Sequence, residues 1–214
     1  GGVCGYFSLL RFKLVKILLN VLIIFYMGWK LLGKKTVLNT YKTAIQSWRI
    51  RLPNGKSRDF FISAGYSYVV VLAVDIKGRV VIVKQHYISQ QKKLVSLVAG
   101  IIDDNEQTKA TARRELLEET GYTAKKFIYL GKSIKGKYST GEVHHFLALD
   151  ASKVEEPKLE DAEDIEILVV SMSEFKKLLK QHTLIDAFAE VCAHRALAYF
   201  DNLKQTDRSL KSKV

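Results

Sequence analysis

The chain has 214 residues, 48% of them apolar, which suffices for one ordinary buried core with material left for appendages. Its formal charge of +12 is unevenly placed: residues 1–58 hold eleven Lys and Arg and no acid, whereas the remaining 23 basic and 22 acidic residues nearly cancel. A nearly neutral body argues against a phosphate-backbone footprint, so we expect no nucleic-acid partner. Two cysteines cannot form a disulfide framework, which favours a reducing, cytoplasmic location.

The N-terminal segment contains an apolar run, Ile17–Trp29, of thirteen residues between Lys16 and Lys30. A bilayer-spanning helix needs about 20 apolar residues, so this run is short unless the lysines snorkel and the span is counted over Leu14–Leu32. Three interpretations of residues 1–26 stay open: an extension outside the functional domain, a membrane-surface or anchor helix, and a buried structural helix. The second would make the protein membrane-associated through this leader.

Alternating and apolar runs predict the first strands. Ala44–Leu52 and Ser57–Ser63 flank a Pro-Asn-Gly turn, which is typical of a β-hairpin. Tyr68–Asp75 and Arg79–Gln85 are apolar and are separated by a Lys-Gly turn, so we expect them to be core strands.

The most informative pattern lies in residues 100–122, GIIDDNEQTKATARRELLEETGY. If Thr108–Thr120 is helical, Glu115, Glu118 and Glu119 stand at i, i+3 and i+4 and project from one face. Arg114 lies beside that face and can pair with a carboxylate to fix its direction. A buried stripe is predicted for the other side, formed by Ala110, Ala112, Leu116 and Leu117. Gly121 then ends the helix where a left-handed cap is cheapest.

Clustered carboxylates suit Mg²⁺ or Mn²⁺, which prefer oxygen ligands and usually bridge to substrate phosphates. The competing interpretation is a solvated acidic helix face. The fixed spacing of Gly100 and Glu106 in front of the helix disfavours that interpretation.

The complete pattern, G-x5-E-x7-R-E-U-x-E-E-x-G-U, is the signature of the Nudix hydrolase family, which the chain resembles. Its one departure is Tyr122, where an aliphatic residue is usual. The resemblance implies metal-dependent hydrolysis of the pyrophosphate bond in a nucleoside diphosphate linked to another group. It also implies site roles: metal ligation by Glu115, Glu118, Glu119 and the backbone carbonyl of Ala99 or Gly100, and orientation by Glu106 and Arg114.

Later segments complete the predicted fold. Strands are expected at Lys93–Val98, Lys126–Ile134, Val143–Leu149 and Ile165–Val170. Ser171 with Glu174 forms a capping box that opens a short helix, and a longer amphipathic helix is expected from Thr183 to about Leu203. This order suits an α/β/α sandwich with a mixed β-sheet and an N-terminal β-hairpin. We expect a basic apolar leader at 1–26, the Nudix domain at 27–205 and a basic tail at 206–214.

Four segments resemble the ADP-ribose pyrophosphatase branch of the family: Leu97–Gly100, Ser139–Ala148, Glu160–Ile167 and the late HTLIDAFAEVCAHRAL. By that match Glu163 is a further metal ligand and Asp161 is the catalytic base, with Glu160 and Glu142 as alternates for these roles. Glutamate is usual at the base position, so the shorter Asp161 is a departure. The substrate is then expected to be ADP-ribose or a nucleotide sugar.

Substrate contacts are less specific in the sequence. Arg49 or Arg51 could bind a phosphate, Glu142 lies in the segment that resembles the substrate loop, and three aromatic side chains could stack on a base: Tyr66, Tyr87 and Trp48. In the resembled branch the hairpin contributes to the partner subunit, which implies a homodimer.

Two alternatives to a catalytic carboxylate site bear on the sequence, a histidine metal site and a binding module without catalysis. His144 and His145 are adjacent on a strand and point to opposite faces, which disfavours a two-histidine metal site. A non-catalytic nucleotide-binding module of the same fold is the alternative function, and it would require loss of signature carboxylates. All of them are present.

Overall fold

The computed structural model describes residues 28–40, 43–184 and 186–211, with the backbone alone from residue 206 onward. Within these residues the chain forms two compact units, the first from 28–65 with 138–140 and the second from 66–137 with 141–211. The predicted leader and the last three residues of the tail lie outside the described residues. No helix within the described part is long and apolar enough to cross a membrane.

The first unit is a three-stranded antiparallel sheet of β1 (Lys30–Thr40), β2 (Thr43–Arg51) and β3 (Ser57–Ser63). Strands β2 and β3 confirm the predicted hairpin, and Gly55 in the turn has a φ of 79° that favours glycine. Strand β1 was not predicted, because two register shifts break the alternation of its sequence. The alternative in which a membrane-spanning helix extends over Leu14–Leu32 is wrong at its C-terminal end, since residues 30–32 form part of a strand.

The second unit contains a seven-stranded mixed sheet. Its strands are β4 (Tyr68–Asp75), β5 (Val80–Tyr87), β6 (Lys92–Ser96), β7 (Val98–Ile101), β8 (Tyr122–Ile134), β9 (Glu142–Lys153) and β10 (Ile165–Val170). The order is β10-β5-β4-β9-β8, with β6 paired to β5 and β7 to β4. The β4 and β9 pair is parallel and the other pairs are antiparallel. The sequence predicted one strand where β6 and β7 lie.

Helices cover both faces of this sheet, as expected for an α/β/α sandwich. Helix α1 (Thr108–Thr120) packs Ala112 and Leu116 on one face, in a core with Val69, Val71 and Phe146. On the other face the core includes residues of α2 (Met172–Lys180) and α3 (Ala187–Lys211). Successive residues of β4 alternate between the two cores, so a fully apolar strand is needed in the centre.

Helix boundaries follow from the caps. Ser171 and Glu174 form the predicted capping box of α2. Helix α3 begins at Ala187 and not at Thr183, because the Asp186 carboxylate accepts hydrogen bonds from the backbone N–H groups of Phe188 and Ala189. The predicted stripe of α1 is wrong at Ala110, which is exposed.

Candidate active site

Helix α1 carries the acidic residues, and its bounds agree with the prediction from the sequence. Gly121 caps it in the left-handed region, with a φ of 71°, and its N–H donates to the Leu117 carbonyl at 2.7 Å. A Cβ on Gly121 would lie 2.0 Å from the Glu155 carbonyl oxygen, so both conformation and space require glycine there. Tyr122 is buried directly after the cap and opens β8.

Glu119 is the most buried of the acidic side chains, with 3% of its surface exposed. One carboxylate oxygen accepts a hydrogen bond from the backbone N–H of Ala99, and Oε2 has no hydrogen-bond partner among the described residues. Burial raises the pKa of Glu119 well above its usual value, and the charges of Glu115, Glu163 and Glu118 act in the same direction. A buried carboxylate with a free oxygen is costly unless something binds it.

Glu115 is buried against the strand that precedes the helix. Its carboxylate fills the space beside Gly100, where an added Cβ would lie 1.8 Å from the Glu115 Cδ. The absence of a side chain at Gly100 is therefore what allows Glu115 to lie there. Burial raises the pKa of Glu115 to about 7, although the neighbouring Arg114 opposes this effect.

Arg114 joins the acidic residues in one network, in which five hydrogen bonds match the five N–H donors of a guanidinium. Its Nε and Nη2 donate to Glu106 at 3.1 and 2.9 Å, and Nη2 also donates to the Ile101 carbonyl at 3.0 Å. Its Nη1 donates to Glu115 at 2.6 Å and to Glu118 at 3.0 Å. The predicted pairing of Arg114 with the acidic face is confirmed.

The same network separates the acidic residues into two kinds. Hydrogen bonding from Arg114 lowers the pKa of Glu106, which is thus held ionised as a structural partner. Glu118 differs in being the most accessible, with 42% of its side chain exposed. Glu115 and Glu119 are instead desolvated, so a bound cation would stabilise their ionised forms.

The donor chemistry of these residues fits a hard divalent cation. The orphaned Oε2 of Glu119 and the two raised carboxylate pKa values are the observations that support this fit. In the part of the chain that the structure describes, no three His, Cys, Asp or Glu side chains are arranged to hold an ion as they stand. Glu115 and Glu118 are engaged by Arg114, so an ion would compete with that guanidinium for them.

The acidic loop between β9 and β10 brings a further carboxylate near the helix. The negative charge of Glu163 contributes to the raised pKa of both Glu115 and Glu119. One Glu163 carboxylate oxygen accepts from the Glu160 N–H at 2.9 Å, and the Glu163 N–H donates to the Glu160 carbonyl at 2.9 Å. Asp161 is exposed and makes no hydrogen bond or ion pair with the described residues.

The substrate-binding candidates of the second unit have other partners. The Tyr87 hydroxyl donates to Asp186 at 3.1 Å, and burial raises its pKa to about 12. Glu142 accepts from Lys132 at 2.6 Å, which lowers the pKa of its carboxyl group. The Tyr87 and Asp186 pair is 99 residues apart in sequence, and no local signal predicts it.

The candidates in the first unit lie on its sheet. Arg49 forms an ion pair with Asp59 at 2.9 Å across β2 and β3, and both side chains are about half exposed. Arg51 is exposed at the end of β2. Trp48 is partly buried and its Nε1 donates to Gln46 at 2.9 Å. Tyr66, at the start of the second unit, is exposed.

The two histidines of β9 lie on opposite faces, as predicted. His144 is bonded to the Tyr129 hydroxyl at 3.1 Å, and His145 is fully buried with Nε2 at 3.0 Å from the Ser133 hydroxyl. Burial lowers the pKa of His145 to about 4, so it is neutral and is a core residue.

Comparison with known proteins finds a matching family model and several similar proteins. The family model described as NUDIX domain matches residues 66–190. An ADP-ribose pyrophosphatase of Bacillus subtilis (strain 168) is 36% identical over 140 residues, covering 64% of this chain and 76% of that protein. A methanol dehydrogenase activator of Bacillus methanolicus is 26% identical over 140 residues, with the same coverage.

Two more matches concern a third organism and a solved structure. A protein of Caenorhabditis elegans named putative nudix hydrolase 2 is 31% identical over 142 residues, covering 63% of this chain and 62% of that protein. The crystal structure of an ADP compounds hydrolase superposes with a TM-score of 0.71 over 82% of this chain and 96% of its own, at 18% identity. This last likeness supports the fold alone.

Proposed function

Because the chain belongs to the Nudix hydrolase family, we propose that it hydrolyses the pyrophosphate bond of ADP-ribose or a nucleotide sugar in a reaction that depends on Mg²⁺ or Mn²⁺. The observation that carries this proposal is the buried Glu119 with one unpartnered carboxylate oxygen, on a helix that also presents Glu115 and Glu118. The 36% identity to an ADP-ribose pyrophosphatase supports the substrate class.

The proposed ligands are Glu115, Glu118 and Glu119, with the Ala99 carbonyl and Glu163 completing the set. A cation held by these residues would supply neutralisation of charge on the two phosphates and orientation of the attacking water. Glu106 and Ile101 hold Arg114 in position through three of its five hydrogen bonds. A cation could therefore displace Arg114 from Glu115 and Glu118 while the guanidinium stays in place. Arg114 thereby acts as a positioning residue.

For the hydrolytic step we propose Asp161 as the base. Its carboxylate takes a proton from water as the water oxygen forms a bond to phosphorus, and the bridging oxygen leaves with the other phosphate. The products are a nucleoside monophosphate and a sugar phosphate. Exposure of Asp161 leaves it accessible to water and substrate, and Glu160 and Glu142 are the alternates.

In the second unit, Tyr87 and Glu142 are proposed to contact the substrate. Arg49 or Arg51 of the first unit is proposed to bind a phosphate of the substrate that the partner subunit holds. Since Arg49 is already paired with Asp59, Arg51, which is exposed and has no ion pair with a described residue, is the better candidate for a phosphate. A homodimer is proposed through the sheet of the first unit. A fully active monomer in light scattering at micromolar protein concentration would argue against the dimer.

Residues 1–26 are proposed to be dispensable for hydrolysis, because the family match covers residues 66–190 and begins well after them. A chain that starts at Met27 should then keep the wild-type rate. Loss of activity in that shorter chain, if it is soluble and folded, would place the leader inside the catalytic fold.

The test of the function is a hydrolysis panel of ADP-ribose, nucleotide sugars, dinucleotides and NADH, with and without Mg²⁺ or Mn²⁺, in which products are identified. We expect phosphomonoester products from ADP-ribose or a nucleotide sugar, and none after chelation of the metal. Tight nucleotide binding without turnover would favour the non-catalytic binding module, which no structural observation now supports.

A further inference from the structure

The acidic loop between β9 and β10, residues 154–164, is fastened to helix α1 where the loop begins. The Val154 N–H donates to the Gly121 carbonyl at 2.9 Å, and the Lys158 N–H donates to the Glu118 carbonyl at 2.8 Å. The second bond satisfies one of the last four carbonyl groups of α1, which have no partner within the helix. The loop therefore starts beside the glutamates of the candidate active site.

The other end of the loop is held at Asp164 by two neighbouring strands. The backbone N–H of His86 in β5 donates to the Asp164 carbonyl at 3.3 Å. Lys93 lies opposite His86 in β6, and its Nζ donates to the Asp164 carboxylate at 2.6 Å. The main chain and the side chain of Asp164 are thus both bonded to the sheet.

The side chain of Asp164 lies on the face of the sheet away from α1. In β10, Leu168 packs into the core beneath α2 and α3. Since successive side chains of a strand alternate between faces, Asp164 continues the row of Leu168. Lys93 stands two residues before Val95, which packs into the same core, so the ion pair lies on this reverse face.

Glu163 acts on the opposite face, which carries α1. Its negative charge contributes to the raised pKa values of Glu115 and Glu119. When Asp164 is held on the reverse face, alternation directs its neighbour Glu163 toward α1. A one-residue slip of this segment would exchange the two side chains and turn Glu163 away from the helix.

We propose that Lys93 is a positioning residue for the proposed metal ligand Glu163, acting through Asp164 from the opposite face of the sheet. This inference rests on the proposed function, because it concerns a metal ligand of that site. An ion pair whose side chains are 34% and 64% exposed contributes little to overall stability. Its effect is therefore expected in the direction of Glu163 and not in the melting temperature.

The sign of the effect separates positioning from simple electrostatics. Removal of the Lys93 charge would by itself favour a nearby cation, because it removes a repulsion. Weaker binding of Mn²⁺ after removal of that charge would therefore report a displaced Glu163.

The test measures Mn²⁺ affinity without substrate, by electron paramagnetic resonance, for Lys93→Met, Lys93→Arg and the exchanged pair Lys93→Asp with Asp164→Lys. Lys84→Met is the matched control, since Lys84 forms an ion pair with Glu166 of β10 at 3.7 Å. Lys93→Met is also combined with Glu163→Gln, because two substitutions that act through one group are not additive.

A second readout uses the metal-free protein. Amide hydrogen exchange at His86 reports the bond from its N–H to the Asp164 carbonyl, because exchange requires local opening. We expect faster exchange at this amide in Lys93→Met and the wild-type rate in Lys84→Met. The melting temperature establishes that each variant is folded.

We expect Lys93→Met to weaken Mn²⁺ binding by about threefold to fivefold at low ionic strength. Lys93→Arg and the exchanged pair should restore most of the affinity, because each keeps an ion pair at this position. In the Glu163→Gln background Lys93→Met should have no further effect, and Lys84→Met should have none in either background.

Wild-type Mn²⁺ affinity in Lys93→Met would overturn the inference, whatever the exchange rate shows. An equal loss of affinity in the Glu163→Gln background, or in Lys84→Met, would overturn it too, since Lys93 would then not act through Glu163. A wild type that binds Mn²⁺ but hydrolyses no nucleotide would contradict the proposed function and leave the positioning role standing. A wild type that binds no Mn²⁺ would overturn both.

Discussion

Two acidic segments of the second unit, helix α1 and the loop that holds Glu160 to Asp164, differ in how their carboxylates are held. Glu115 and Glu119 are buried against Gly100 and Ala99, so the packing of a helix on a sheet fixes their positions. Asp161 of the loop is exposed. Buried carboxylates gain most from a bound cation, whereas an exposed one is free to exchange protons with water.

This difference predicts that substitutions of the helix α1 glutamates lower kcat the most. Glu119→Gln or Glu118→Gln should lower kcat by at least about a hundredfold, because several kcal/mol of transition-state stabilisation depend on the bound cation. Glu119→Gln should leave the metal-free thermal stability unchanged or higher, since it replaces a buried carboxyl group that is costly to ionise with a neutral amide of the same shape. Steady-state kinetics and a thermal melt check both statements. Glu156→Gln, at an exposed position outside the network, is the matched control.

Substitutions in the exposed loop should separate the effect on kcat from the effect on metal binding. Asp161→Asn should lower kcat by about a hundredfold, as for loss of a general base, without weakening Mn²⁺ binding. Glu163→Gln should weaken Mn²⁺ binding, because its charge acts on Glu115 and Glu119. If Asp161→Asn retains the wild-type rate, the base lies elsewhere, and Glu160→Gln and Glu142→Gln are the next variants to assay.

A smaller effect on kcat is expected from a substitution at Gly100, the backbone position against which Glu115 lies. Gly100→Ala places a methyl group where the Glu115 carboxylate lies, which should displace that carboxylate and lower kcat by about tenfold or more. Gly33→Ala is the control, since a Cβ there would meet no atom within 4 Å. An unchanged rate in Gly100→Ala would show that the position of Glu115 is not needed for turnover.

The sequence predicted the helix of the site better than the rest of the molecule. The bounds of α1, its left-handed cap and the pairing of Arg114 follow from local spacing, which carries that information. The close fit of Glu115 to Gly100 and the bond from Tyr87 to Asp186 depend on how distant segments pack, so no local pattern predicts them. Strand β1 escaped prediction because its bulges break the alternation that marks a strand.

The smallest effect concerns pH. Burial raises the pKa of Glu115 from 4.5 to about 7, so its neutral form stabilises the metal-free fold at low pH, and that contribution is lost as pH rises through about 7. Between about pH 6 and about pH 8 the metal-free melting temperature should fall by about 2 to 4 °C. Saturating Mg²⁺ should remove the decrease, because a cation favours the ionised form. A Glu115→Gln variant that shows the same decrease would assign it to another group.

The most direct test of the account is Mn²⁺ binding without substrate, measured by electron paramagnetic resonance on wild type, Glu119→Gln and the control Glu156→Gln. We predict that wild type and Glu156→Gln bind the ion and that Glu119→Gln binds it at least about tenfold more weakly. Equal binding by wild type and Glu119→Gln would contradict the assignment of the buried carboxylate to the metal and, with it, the central claim.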